Sequence, residues 1–349
     1  MLLLRSVMLL VGGTLFMSSL AICSVRGAEI DGAGSSFVAP VMAQWASEYA
    51  KGTGTTVNYA SVGSGAGIDR IRNGTVDFGA TDKPLSPREL EEAGLCQFPV
   101  VVGGVVPVVN LAGISPGQLR FSGALLAKIY MGEVTSWDAE EIRALNPDVS
   151  LPSLAISVVH RSDGSGTTYN WVDFIARASS AWKAKIGVGL SVSWPVGLGS
   201  NGNAGVAESV MHTPGSIGYV EYSYALEKHL AFGQVKNAHG LYVRPSGDSF
   251  QSAAMTVDWL RYHDFSVLMT NAGGPDAYPI TATTFILMYK SPKDPARSAA
   301  ALAFFRWALE NGGEQAANLN YAPLPAALVK LVEAYWASHI RGQGTATGN

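Results

Sequence analysis

Cysteine is almost missing from this 349-residue chain, which has only two. Cys23 lies in what reads as an exported leader, so no intrachain disulfide is available to the mature chain. Cys96, between Leu95 and Phe98, reads as a small buried hydrophobe and not as a reactive thiol. Charge is scarce too: charged residues make up 15% of the chain and sum to −3. Such a chain lacks the basic stripe that nucleic acid requires and cannot draw in an anion by net charge. Past the leader, no apolar run reaches the length of a membrane-spanning helix. The glycine-rich loops carry no P-loop lysine, and neither of the two N-terminal ones completes a dinucleotide fingerprint, so nucleotide binding loses its signature. The histidines show no H-E-x-x-H spacing, and no G-x-S-x-G surrounds Ser64 or Ser165, which removes the signatures of a zinc hydrolase and of a nucleophile elbow.

The leader is the first thing present. Arg5 precedes an apolar run from Val7 to Met17, and small residues follow through Ala28, the pattern of a signal peptide over 1–27. Its removal takes Arg5 and Arg26 away and moves the formal charge from −3 to −5. Leu20-Ala21-Ile22-Cys23 is a second candidate cleavage box, with a lipid on Cys23, but Ile22 is a poor fit before the cysteine. A chain of this length is expected to form two domains. The tail beyond Arg341 is expected to be disordered.

His160 to Thr168, HRSDGSGTT, organises the rest. A β-type run at 156–159 leads into it, and Trp171, Phe174 and Ile175 follow at helical spacing. Gly164 and Gly166 let the backbone turn its N–H groups toward one point where the helix start still has unpaired donors, which is the geometry of an anion site. Arg161 offers a planar donor fork, and Asp163 is its obvious partner. A glycine-serine turn with a surface ion pair is the competing reading of this loop alone.

Counterparts occur elsewhere. Residues 31–37, DGAGSSF, read as a glycine loop opening a helix with Val38, Val41, Met42, Trp45 and Tyr49 on its apolar face. A strand at 55–59 leads to a third loop at 63–67. The strand 76–80 ends at Thr81-Asp82, at the sheet edge where ligands of open α/β proteins lie, and Ser86-Pro87-Arg88-Glu89 begins a capped helix. An exposed turn with Asp82 paired to Lys83 competes with that reading. The β-branched run at 98–110, with Gly103-Gly104 at its bend, reads as a strand crossing between lobes, and 278–289 as the return crossing. Short helices are expected at 125–130 and 139–145, a long glycine-rich loop at 194–203, a helix near 206–211, a strand at 217–222, and two closing helices at about 295–309 and 325–340. The whole is an α/β pattern with mainly parallel sheets flanked by helices, in two lobes around a cleft.

These segments together resemble the periplasmic phosphate-binding components of Pst-type ABC importers. The resemblance rests on GAGSSF at 32–37, VNYASVGSGAG at 57–67, VDFGATDKPLS at 76–86, FPVVVGGVVPVVN at 98–110, RSDGSGT at 161–167, PGSIGYVEY at 214–222 and YPITATTFIL at 278–287. It implies a type II periplasmic-binding-protein fold, with lobe I formed by 28–103 plus 278–349 and lobe II by 104–277. It further implies a monomer without cofactor or catalysis that closes on inorganic phosphate and delivers it to a membrane permease and its ATPase. Matched by motif, the phosphate-binding positions are Ser36, Phe37 through its main chain, Ser64, Asp82, Arg161, Ser165, Gly166 and Thr167, with Asp163 orienting Arg161. Ser36 replaces a common threonine, Gly65 a common second serine, and Pro107 an aliphatic residue.

Near neutral pH phosphate keeps a proton that sulfate lacks. A buried carboxylate at Asp82 is expected to accept it and to reject sulfate, which would leave two acceptors facing each other. The alternatives are a phosphatase or other hydrolase acting on phosphate esters, and a receptor for sulfate, molybdate or an organic phosphate. His160 is expected on the opposite strand face from Arg161, away from the loop's chemistry.

Overall fold

The computed structural model describes residues 28–341. The signal-peptide and Cys23 readings, and the expected disorder of the tail, lie outside the described residues. Six elements open the chain: β1 (Glu29–Gly34), α1 (Ala39–Thr53), β2 (Thr56–Ser61), α2 (Ser64–Arg72), β3 (Phe78–Thr81) and α3 (Pro87–Ala93). The long strand β4 (Leu95–Val109) leads to β5 (Arg120–Phe121), α4 (Gly123–Tyr130), α5 (Glu140–Leu145), β6 (Ser157–Arg161), α6 (Gly166–Ala178) and α7 (Ser180–Lys185). Next come β7 (Leu198–Ser200), α8 (Gly202–His212), β8 (Ser216–Glu221), α9 (Tyr222–Glu227), β9 (Ala231–Phe232), β10 (Gln234–Lys236), β11 (Tyr242–Val243) and α10 (Gly247–Met255). The chain ends with β12 (Thr281–Tyr289), α11 (Pro295–Asn311), α12 (Gly313–Asn318) and α13 (Ala326–His339).

Two lobes share one sheet path, β2-β1-β3-β12-β4-β8-β6-β7. Within each lobe the strands that feed the ligand edge are parallel: β2-β1-β3 in one and β8-β6-β7 in the other. β12 and β4 run antiparallel between them. The 15-residue β4 changes partner part-way, pairing with β12 as far as Gly104 and with β8 from Val105 onward. All of its residues are buried, which is why it reads as a continuous β-branched run without alternation. Gly103 and Gly104 keep ordinary strand conformation, and their missing side chains make room for rings. A Cβ on Gly103 would stand 2.8 Å from the Phe37 ring, and one on Gly104 2.1 Å from the Phe250 ring.

The helices form for the reasons their sequences suggest. α1 buries Val41, Met42, Trp45 and Tyr49, has proline in its first turn and stops at left-handed Gly54. Ser86 and Glu89 make the reciprocal capping box of α3. One lobe is cored by edge-to-face aromatics, with Phe78–Phe305 and Phe98–Trp336 centroids both 4.9 Å apart. In the other, Trp171 stacks on Tyr219 at 4.9 Å. Cys96 is fully buried, and burial pushes its thiol up to about 12.

Four segments differ from expectation. Residues 31–34 of the expected 31–37 loop belong to strand β1, where glycine admits close neighbours: a Cβ on Gly32 would meet the Phe78 ring at 2.0 Å, and Gly67 of α2 packs so near the strand that a Cβ on it would meet Gly34 Cα at 2.4 Å. Helix α2 therefore lies directly on the strand, and 64–67 belong to its first turn instead of to a loop. The 194–203 stretch contains the short edge strand β7 and the start of α8. A short extra helix, α12, follows α11 after Gly312. The stretch 256–280 forms a strap anchored on both sides of the molecule. Gln97 Nε2 donates to the Asp264 carbonyl at 2.9 Å, and Thr270 Oγ1 donates to Asp173 of α6.

Candidate functional site

Helices α1, α2, α6 and α8 all begin at the carboxyl ends of the parallel strands, two from each lobe, and their N-termini meet across the cleft. Each start carries N–H groups that the helix itself cannot pair, so the meeting point is rich in donors and in positive dipole. The polar side chains gathered there are buried: Ser35, Ser36, Ser64, Asp82, Arg161, Ser165, Thr167 and Asn203. Burial without partners would be costly, and the hydrogen-bond network accounts for them.

Asp82 directly follows β3 on one side. Ser35 Oγ donates to its Oδ2 at 2.6 Å, Thr284 Oγ1 of β12 to its Oδ1 at 2.7 Å, and Ser64 Oγ to Oδ2 at 3.5 Å. Burial pushes its pKa up to about 6, against the downward pull of those hydroxyls and of Arg161. Asp82 is not paired with Lys83, whose ammonium is 2.9 Å from Glu89. The 35–37 turn is held by three tyrosines on its carbonyls: Tyr59 donates to Ser35 O at 2.7 Å, Tyr224 to Ser36 O at 2.8 Å and Tyr321 to Phe37 O at 2.6 Å. With the carbonyls tied back and the Ser35 N–H donated to Ala80 O at 2.9 Å, the turn presents the Ser36 N–H and its hydroxyls. The Phe37 N–H donates to Ser35 Oγ at 3.0 Å, and its ring lies in the core.

Arg161 ends β6 from the other side. Its Nε donates to Asp163 Oδ1 at 2.7 Å and its Nη2 to Asp163 Oδ2, a bidentate pair that fixes the guanidinium plane. Its Nη1 reaches Thr167 Oγ1 at 3.3 Å. Asp163 also accepts from the Gly202 N–H at 3.0 Å, and Arg161 together with that N–H holds its pKa below the usual value even against burial. Ser165 is the N-cap of α6, its hydroxyl accepting from the Thr168 N–H at 3.0 Å. Gly166 is pressed against the opposite lobe: a Cβ there would lie 2.4 Å from Ser64 Oγ and 2.7 Å from Asp82 Oδ2. His160 stacks on Trp194 with centroids 4.7 Å apart, facing away from the network.

Hydrogen bonds also join the lobes directly. The Gly65 N–H donates to Gly164 O at 2.8 Å, and Asn170 Nδ2 to Asp82 O at 2.8 Å. Asn203 of α8 donates to Ser36 Oγ through Nδ2 at 2.9 Å and through its main chain at 3.2 Å. The structure thus brings Ser36, Phe37, Ser64, Asp82, Arg161, Asp163, Ser165, Gly166 and Thr167 to one place. It adds Ser35, Asn170, Asn203 and Thr284, which sequence reasoning did not single out. Ser35 adjoins a flagged residue and Asn170 lies one helical turn after Gly166, to whose carbonyl its Nδ2 donates at 2.9 Å, whereas Asn203 and Thr284 contact the site only through the tertiary fold.

Comparison with known proteins gives a consistent picture. A family model described as a PBP superfamily domain matches residues 24–311. The chain is 50% identical over 316 residues to the phosphate-binding protein PstS of Xylella fastidiosa strain 9a5c, covering 90% of this chain and 87% of that protein. It is 45% identical over 313 residues to the phosphate-binding protein PstS of Haemophilus influenzae, covering 90% and 94%. The crystal structure of a phosphate-binding protein from Stenotrophomonas maltophilia superposes with a TM-score of 0.65 at 19% identity, covering 88% of this chain and 94% of that one, a likeness of fold.

Proposed function

Since the chain belongs to the PBP superfamily and within it to the PstS phosphate-binding proteins, we propose that it binds inorganic phosphate between its lobes. On this reading it works outside the cytoplasm, exported by the 1–27 leader, and hands phosphate to the membrane subunits of an ABC permease driven by its ATPase. The observation that carries the reading is the pairing of unlike groups at one buried point. A carboxylate, Asp82, on one lobe faces a fixed guanidinium, Arg161, and the N-terminus of α6 on the other, with hydroxyls from both lobes between them.

The chemistry follows from that arrangement. The side chains of Arg161, Ser36, Ser64, Ser165 and Thr167 and the main-chain N–H of Gly166 supply donors for phosphate oxygens, joined by the Phe37 N–H when it turns from the Ser35 hydroxyl that it pairs with in this structure. Asp163 orients Arg161 and offsets its charge, so that the site is not a general trap for anions. With a pKa of about 6, Asp82 is mostly ionised at pH 7 and above, an acceptor awaiting the proton that phosphate carries. Lobe I, 28–103 with 278–349, and lobe II, 104–277, would open by bending where β4 changes partner and where the chain re-enters β12. The support is the switch at Gly104/Val105.

Calorimetric titration of the mature protein, stripped of ligand, with phosphate and then sulfate near pH 7.5 tests the reading. Stoichiometric phosphate binding without sulfate heat is expected, and comparable binding of both, or of neither, overturns it. In Asp82→Asn the sulfate-to-phosphate affinity ratio is expected to rise by about 10² or more, because the side chain now offers a donor to sulfate. An unchanged ratio removes Asp82 as the selector.

A further inference from the structure

We propose that Asn203 is a positioning residue that sets the hydrogen-bond polarity of the site: it occupies the acceptor side of one hydroxyl from each lobe and turns both protons toward an oxyanion. The inference rests on the phosphate reading and deepens it, since Asn203 belongs to none of the loops that carry the binding residues. It is the second residue of α8 and has no exposed surface.

A hydroxyl has two acceptor lone pairs and one proton. At Ser36 Oγ both acceptor directions meet donors from one residue, the Asn203 main-chain N–H at 3.2 Å and its Nδ2 at 2.9 Å. Thr167 Oγ1 is treated alike, by the same Nδ2 at 3.2 Å and by Arg161 Nη1 at 3.3 Å. None of these groups can accept a proton. Each hydroxyl is left as a pure donor, matched to a ligand whose oxygens are mostly acceptors.

The amide cannot be turned round. Its Oδ1 accepts from the Glu221 main-chain N–H at 2.9 Å, a group that tolerates only an acceptor at that place. Glu221 is paired with Val105, the first β4 residue past the change of partner, so the polarity of the site is anchored on the crossing itself. Without the Asn203 side chain each hydroxyl keeps one donor, the main-chain N–H of residue 203 at Ser36 and Arg161 Nη1 at Thr167, but regains one open lone pair with which to accept, and part of the preorganisation for an anion disappears.

A double-mutant cycle on phosphate affinity separates this role from simple lobe contact. Phosphate is titrated into wild type, Asn203→Ala, Ser36→Ala with Thr167→Val, and the combination of all three. Asn203→Ala alone is expected to weaken phosphate by about tenfold or more. In the background without the two hydroxyls it should act within about twofold, the scatter of non-interacting sites. Equal losses in both backgrounds overturn the proposal, because a structural role would persist when the hydroxyls are gone. Asn203→Leu, which fills the space without a donor, replaces the alanine variant if that one does not fold. A wild-type protein that binds no phosphate overturns the functional reading, and this inference with it, before any variant is made.

Discussion

Glu221 shows how far burial reshapes a single residue here. Ser223 donates to its Oε2 through main chain and hydroxyl, while Oε1 has no partner among the described residues, and burial pushes the pKa from 4.5 up to about 8. The folded state therefore holds a proton that the unfolded state has already released between pH 4.5 and 8, and stability falls as pH rises through that window. Asp82 adds a smaller effect of the same sign between 3.8 and about 6. Glu221→Gln copies the protonated acid. It should leave the melting temperature at pH 5 unchanged and raise it at pH 9 by about 2 °C or more, read by differential scanning calorimetry without ligand. A melting curve whose pH dependence matches wild type would mean that Glu221 is ionised in the fold. Little of this was legible in GYVEY: only the Ser223 contact is local, whereas the shift comes first from burial, with Tyr321 and Asp82 reaching Glu221 only through the tertiary fold. Asp82 was legible at the sheet edge, but its partner Thr284 was not, since 202 residues of chain separate them.

At the scale of elements, the readable ones were those whose stabilisation is local. The α3 capping box, the apolar face of α1 and the N-cap of α6 are written within a few residues, and they form where the pattern puts them. The glycine runs were ambiguous because glycine serves two purposes, turning the chain and admitting a neighbour. In β4 and at Gly32 of β1 the second applies, whereas Gly34, with φ +147°, serves both. Gly104→Ala tests this at the crossing: its Cβ would enter the Phe250 ring, so the variant should lose about 1–3 kcal/mol in urea unfolding through overpacking. If Gly104 served only to bend the strand, alanine, which tolerates the same ordinary strand conformation, would cost less than about 0.5 kcal/mol.

For the whole molecule the decisive feature is contact across the cleft. Gly65 lies against Gly164, joined N–H to carbonyl at 2.8 Å, and a Cβ on Gly65 would stand 3.2 Å from Gly164 Cα. A serine there would need only a slight shift, whereas Gly65→Leu must hold the lobes apart. That variant should bind phosphate at least about tenfold more weakly, with a ligand-free melting temperature within about 2 °C of wild type. Small-angle scattering should show wild type contracting on adding phosphate and the variant contracting less. Wild-type affinity in Gly65→Leu would mean that binding does not need this contact.

Local order is what the amino-acid sequence determined alone: the α/β alternation, the helix starts, the long crossing strand and the loops rich in glycine and hydroxyls. These depend on periodicity, capping and backbone freedom, which act over a few residues. The tertiary structure decided which of those loops meet and in which electrical state. It placed Asn203 and Thr284 beside residues far away in the chain, and it raised the pKa of Asp82 and Glu221 by enclosing them. The physical reason is that desolvation and hydrogen-bond direction are properties of a closed, buried volume, and no segment of the chain possesses that volume until both lobes enclose it.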